Sequence, residues 1–136
     1  MNSYNPIVVL DPYEWLPGHG ENEINFHSKG LEWGIEILYD DESQDEVWKR
    51  NLVFHKTRCF YKASFPGPSI LNIDHHDMKK ALGSLIEYQN SDAADKWNTH
   101  LKICRDVKHY CIIFLPSNSL VEVVAESFSL TEPIRL

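Results

Sequence analysis

Asp74-His75-His76-Asp77-Met78-Lys79-Lys80-Ala81-Leu82-Gly83-Ser84-Leu85-Ile86 carries the periodicity on which the choice of fold class turns. Met78, Ala81, Leu82, Leu85 and Ile86 recur at i, i+3, i+4, i+7 and i+8, the spacing that lays apolar side chains along one face of a helix. Asp74 is placed to cap its N-terminus, and Asp77 in the first turn complements the helix dipole. Asn90-Ser91-Asp92 then breaks the helix and caps a second, whose stripe is Ala94, Trp97, Leu101 and Cys104, with Lys102 and Arg105 near its C-terminal end. The two helices are expected to pack side by side.

On either side of this pair the pattern is that of strands. Pro6-Ile7-Val8-Val9-Leu10 reads as a first strand closed by Asp11-Pro12. The stretch from Tyr13 to Gly30 is rich in glycine and reads as loop with at most one small strand. Leu31, Trp33, Ile35, Ile37 and Tyr39 alternate with Glu32, Gly34 and Glu36, which puts one face on a core and the other in water. Between Asn51 and Phe65 the alternation changes phase, and a bulge or tight turn near His55 to Arg58 accounts for it. Ser69 to Ile73 is strand-like. Tyr110 to Leu115 is apolar on both parities, as in a strand covered on both faces, and Leu120 to Phe128 reads as its antiparallel partner. Strands, then helices, then a closing hairpin predict an α+β fold: a mainly antiparallel sheet with two adjacent helices on one face, formed as a single globular domain over 1–136.

Composition narrows the function classes. A hydrophobic fraction of 43% with four Trp describes a chain that folds. No apolar run reaches the roughly 20 residues of a membrane span, and Met1 to Pro12 lacks the form of a secretion signal, so a cytoplasmic protein without membrane contact is expected. The net charge is −7, and it is uneven: residues 1–50 hold eleven acids and three bases, whereas 51–136 hold nine and ten. That balance argues against nucleic acid as a partner.

Candidate chemistry is sparse. Cys59, Cys104 and Cys111 lack C-x-x-C spacing and read as small buried apolar residues. His75-His76-Asp77 suggests a metal cluster, but the acids are accounted for as cap and first-turn residues and the histidines point apart. His19-Gly20-Glu21 and His27 lie in the Gly-containing loop without a mechanistic motif, and Gly18-His19-Gly20 has no Lys-Ser/Thr to make a phosphate loop. Ser64, Ser69 and Ser84 lack the G-x-S-x-G elbow. His109 and Cys111 share a strand face and read as core lining. No catalytic residue, metal site or cofactor is therefore assigned.

The acids of the first half are the feature left over. Glu32 and Glu36 share the exposed face of one strand, and Asp40, Asp41, Glu42, Asp45 and Glu46 continue from its end toward Trp48. Solvation alone is one reading of such a surface; a docking surface that steers a basic partner is the other. The short acidic chain, the strand Leu31-Glu32-Trp33-Gly34-Ile35-Glu36-Ile37 and the acidic connector together resemble the small bacterial immunity proteins that neutralise toxin domains delivered between competing cells. The resemblance implies inhibition without turnover: the protein would cover the active cleft of a basic toxin such as a nuclease. Glu32, Glu36 and the 40–46 acids would supply charge, and Trp48 or Trp15 an aromatic anchor. The alternative is a small-molecule-binding or hydrolytic domain, with a pocket between sheet and helices lined by Trp97, Tyr110 and the histidines.

Overall fold

A computed structural model describes residues 5–14, 16–41, 46–67, 75–101 and 106–136. Along the chain run β1 (Pro6–Leu10), β2 (Glu23–Lys29), β3 (Glu32–Asp41), β4 (Glu46–His55), β5 (Cys59–Ser64), α1 (His75–Lys79), β6 (Leu85–Tyr88), α2 (Asp92–Leu101), β7 (Lys108–Phe114), β8 (Ser119–Ala125), β9 (Ser127–Leu130) and β10 (Ile134–Arg135). They form two sheets: the first in the order β1-β6-β7-β8-β5, the second β10-β4-β3-β2, with β9 also paired to β4. Every pairing between these strands is antiparallel, and an isolated parallel bridge joins Leu82 to Ile113 of β7.

The expected α+β arrangement is thus replaced by a mostly antiparallel β fold with only two short helices among the described residues. The cause lies at Gly83. Its φ of +72° is in the left-handed region that glycine adopts at low cost, and it ends the helical turns that follow α1. Beyond it the chain extends: Leu85 joins the core between the sheets, while Ile86, its neighbour, joins the core on the opposite side. Adjacent residues buried in two different cores require the period of a strand, and β6 duly fills the slot between β1 and β7. The second helix does begin at Asp92 under a Ser91 cap, whose Oγ accepts from the Ala94 N–H at 3.2 Å. The strand-like stretch at 69–73 and the cap at Asp74 lie outside the described residues.

Trp33, Ile35, Ile37, Leu52 and Phe54 of the second sheet meet Tyr110, Ile112, Phe114, Val121, Val123 and Ala125 of the first, and this is the main core. The other face of the first sheet carries Ile86, Tyr88, Cys111, Ile113 and Leu120 against Met78 and Ala81. β7 and β8 are therefore buried on both sides, with His109 and Glu122 the ionisable side chains enclosed among their apolar residues.

The change of phase after Phe54 marks a passage between sheets. The turn at 56–58, with Lys56 at φ +54°, carries the chain from β4 in the second sheet to β5 in the first. At Glu126 the reverse passage joins β8 to β9. The two corners are laced together: Arg58 N–H donates to the Val124 carbonyl at 2.8 Å, Glu126 N–H to that of His55 at 3.0 Å, and the Arg58 and Glu126 side chains pair at 3.4 Å. The segment 131–136, unassigned from sequence, supplies β10 to the edge of β4.

Truncating Phe54, which is fully buried, to Ala is expected to cost about 3–5 kcal/mol in urea unfolding, whereas Leu31→Ala at an exposed turn should stay within about 0.5 kcal/mol. Burial between the sheets, reinforced by the charges of Glu87 and Asp106, pushes the Tyr110 hydroxyl up to about 12 from its ordinary 10.0. The folded state thus holds this proton more tightly than the unfolded chain. Its contribution is complete below pH 10 and is lost as pH rises from there through about 12. Melting temperature measured across that window should fall, and should fall less steeply in Tyr110→Phe.

Candidate functional site

Of the four faces presented by the two sheets, the outer face of the second is open to solvent. On β3 the alternation that sends Trp33, Ile35, Ile37 and Tyr39 inward turns Glu32, Gly34, Glu36, Leu38 and Asp40 outward. Register adds Asn25 and His27 of β2 and Val47, Lys49, Asn51 and Val53 of β4 to the same surface. Glu36 sits between Asn25, whose Nδ2 donates to it at 3.4 Å, and the Lys49 ammonium at 3.8 Å. Asp40 accepts from Asn22 Nδ2 at 2.9 Å. The His27 ring lies flat across Gly34, so that a Cβ built at Gly34 would enter the imidazole. The ring's Nε2 is 3.2 Å from Asn51 Oδ1.

Of the residues expected to dock a partner, Glu32, Glu36 and Asp40 are brought onto this one face. Asp41 opposes Glu46 at the strand ends, and Trp48 opposes Tyr39, on the inward parity. Trp48 is therefore not beside Glu36; the exposed apolar residue next to the acids is Val47, opposite Asp40, and the exposed Ile134 and Leu136 lie one strand further out, against β4. Glu46 accepts from Arg135 at 3.2 Å. Glu42, Asp45 and Trp15 lie outside the described residues.

One polar relay on this face had no sequence signal, because it joins three strands. His55 Nδ1 is 3.1 Å from Glu32 Oε1, and its Nε2 is 2.8 Å from Ser129 Oγ. The order is that of a serine–histidine–acid relay. Here, however, the Glu32 side chain is 60% exposed on an open sheet face, where water competes for the carboxylate and screens it. The arrangement orients the three side chains and ties β9 to β3 across β4.

A second relay is buried under α2. His109 Nδ1 stands 2.6 Å from Ser91 Oγ and its Nε2 3.1 Å from Glu122 Oε1, all three side chains at most 1% exposed. Since Ser91 also caps α2, the relay pins that helix to the sheet. His109 and Cys111 do share a face, but burial pushes the Cys111 thiol well above its ordinary value, so it is not a thiolate nucleophile.

The pocket expected between sheet and helices does not form from its proposed lining. Tyr110 points into the core between the two sheets, whereas Trp97 stands on α2, across the first sheet from it. The side chains of His75 and His76 are outside the described residues, and among those described no cluster of three metal-ligating side chains occurs. A cavity of about 370 Å³ opens instead beneath the 12–21 loop, against the end of β7. No helix among the described residues is long and apolar enough to cross a membrane.

Comparison with protein-family models, curated proteins and solved structures finds no match to this chain.

If the buried relay is structural, breaking it from one side should be worse than removing it. His109→Leu, which strands the Glu122 carboxylate, is expected to cost about 3–5 kcal/mol in chemical denaturation. The double change His109→Leu with Glu122→Leu should recover most of that loss.

Proposed function

We propose that this protein acts by binding, without turnover, to a basic protein partner through the outer face of the second sheet, in the manner of an immunity protein that covers the catalytic cleft of a toxin. The observation that carries the reading is that one sheet face holds Glu32, Glu36 and Asp40 of β3, the exposed Val47 of β4 opposite Asp40 and, on the edge strand beyond β4, the exposed Ile134 and Leu136. Among the described residues three of the four sheet faces are committed to cores, and this one is not. Exposed apolar side chains beside a set of acids on an uncovered sheet face suit a protein–protein interface better than a merely solvated surface. The sign of these charges selects the partner. Glu23 of β2 extends the acidic field on the same face, while Lys29 and Lys49 offset only part of it. A cleft that binds phosphate must itself be positive, so a nuclease domain meets this surface with complementary potential.

Such a surface raises the association rate more than it deepens the affinity, because the charges act before contact and are screened by salt. The partner to test is the domain encoded by the gene next to that of this chain. Its association rate should fall as ionic strength rises, and the triple reversal Glu32→Lys, Glu36→Lys, Asp40→Lys should lower that rate about tenfold or more. A complex that forms at the same rate with the triple variant, or no complex with that domain at all, overturns the reading.

A further inference from the structure

The cavity beneath the 12–21 loop has the chemistry of a small-molecule site. Its wall is apolar, formed by Leu16, Ile112, Phe114 and Pro116, and about 370 Å³ lies within the size range of ligand pockets. Two titratable side chains interrupt that wall, the exposed His19 and Glu21, whose carboxylate belongs to a residue only 5% exposed. Glu21 accepts one hydrogen bond, from Ser117 Oγ at 2.7 Å, and no cation among the described residues pairs with it. An ionised carboxylate has about four acceptor directions. Ser117 fills one of them, which leaves acceptor directions that a cationic donor in the cavity can use.

The backbone is built to keep it there. Gly20, at φ +85°, turns the loop back with its N–H donating to the Pro17 carbonyl at 2.8 Å, and packs so closely on Pro116 that a Cβ would come within 2.9 Å of the ring. That contact sets the loop on the 115–118 turn and brings Glu21 to Ser117. Asn22 N–H, bound to the Leu38 carbonyl at 2.7 Å, fixes the other side.

We propose that this cavity binds a small organic ammonium ion, a primary amine on an apolar body, with the ammonium paired to Glu21 and the body against Leu16, Ile112 and Phe114. An ammonium supplies both the missing charge and up to three donors for the free acceptor directions, and the apolar wall strengthens the pairing by excluding water. None of the lining residues belongs to the acidic docking face, so this site stands or falls apart from the protein-binding reading.

The test titrates the whole chain with phenethylamine and hexylamine, and with phenethyl alcohol and hexanoate as isosteres lacking the charge or reversing it. The amines should bind with a Kd of about 1 mM or tighter and raise the melting temperature, and the isosteres should do neither. Glu21→Gln keeps the shape and the acceptor for Ser117 but removes the charge, and should weaken amine binding by at least about tenfold. Should that variant not fold, amide shifts in the unaltered protein decide: they should cluster at Leu16, Glu21, Phe114 and Leu115. Equal binding of amine and alcohol, no binding of either amine, undiminished binding to Glu21→Gln, or shifts centred on Glu32 and Glu36 would each overturn the proposal.

Discussion

The structure depends on burying β7 and β8 from both sides. Their alternate residues face two different cores, so the hairpin needs a second sheet below it and a helical cover above it. This one demand organises the other elements. The second sheet meets the lower face, α1 and the turn after it meet the upper, and β6 and β5 flank the hairpin to satisfy its edge hydrogen bonds. Polar groups caught in that double burial must find each other. Glu122 and His109 do so on the upper face, recruiting the helix cap Ser91 as a third member.

Much of the strand content was legible because it follows period two. Trp33, Ile35 and Ile37 against Glu32 and Glu36 placed β3 and its exposed face, and Tyr110 to Leu115 declared itself a doubly covered strand. The fold class was not legible, and the reason is specific. Met78, Ala81, Leu82, Leu85 and Ile86 satisfy a helical stripe, yet every one of them is also consistent with a turn of helix followed by a short strand. Gly83 decides between the two, through a left-handed conformation that tertiary pairing of β6 rewards. Residue spacing describes local repeat, whereas strand order is a contact between distant segments. The same limit hid the Glu32–His55–Ser129 relay and the Glu21–Ser117 pair, whose members are brought together only by the sheet register and by the loop's seat on Pro116.

The acidic stretch shows where local reading of function succeeds and fails. Alternation was enough to put Glu32, Glu36 and Asp40 on one surface. It was not enough to place Trp48, because the parity of β4 is set by its pairing to β3 across a connector whose length the sequence does not translate into register. Two of the exposed apolar residues on that face, Ile134 and Leu136, come from the 131–136 segment, which carries no periodic signal of its own and is ordered by pairing to β4.

The paired corners at Arg58 and Glu126 govern how such a chain comes together. The strands of the first sheet are β1 and β5 to β8, and those of the second β2 to β4 with β9 and β10, so the backbone crosses between layers three times. No single cut separates one complete sheet from the other. Arg58 and Glu126 stand 68 residues apart in sequence, and their joining closes a large loop whose entropy must be met before the contacts reward it. Closing so large a loop slows folding, whereas the acidic face rests on β2, β3 and β4, which are neighbours in sequence as well as in the sheet.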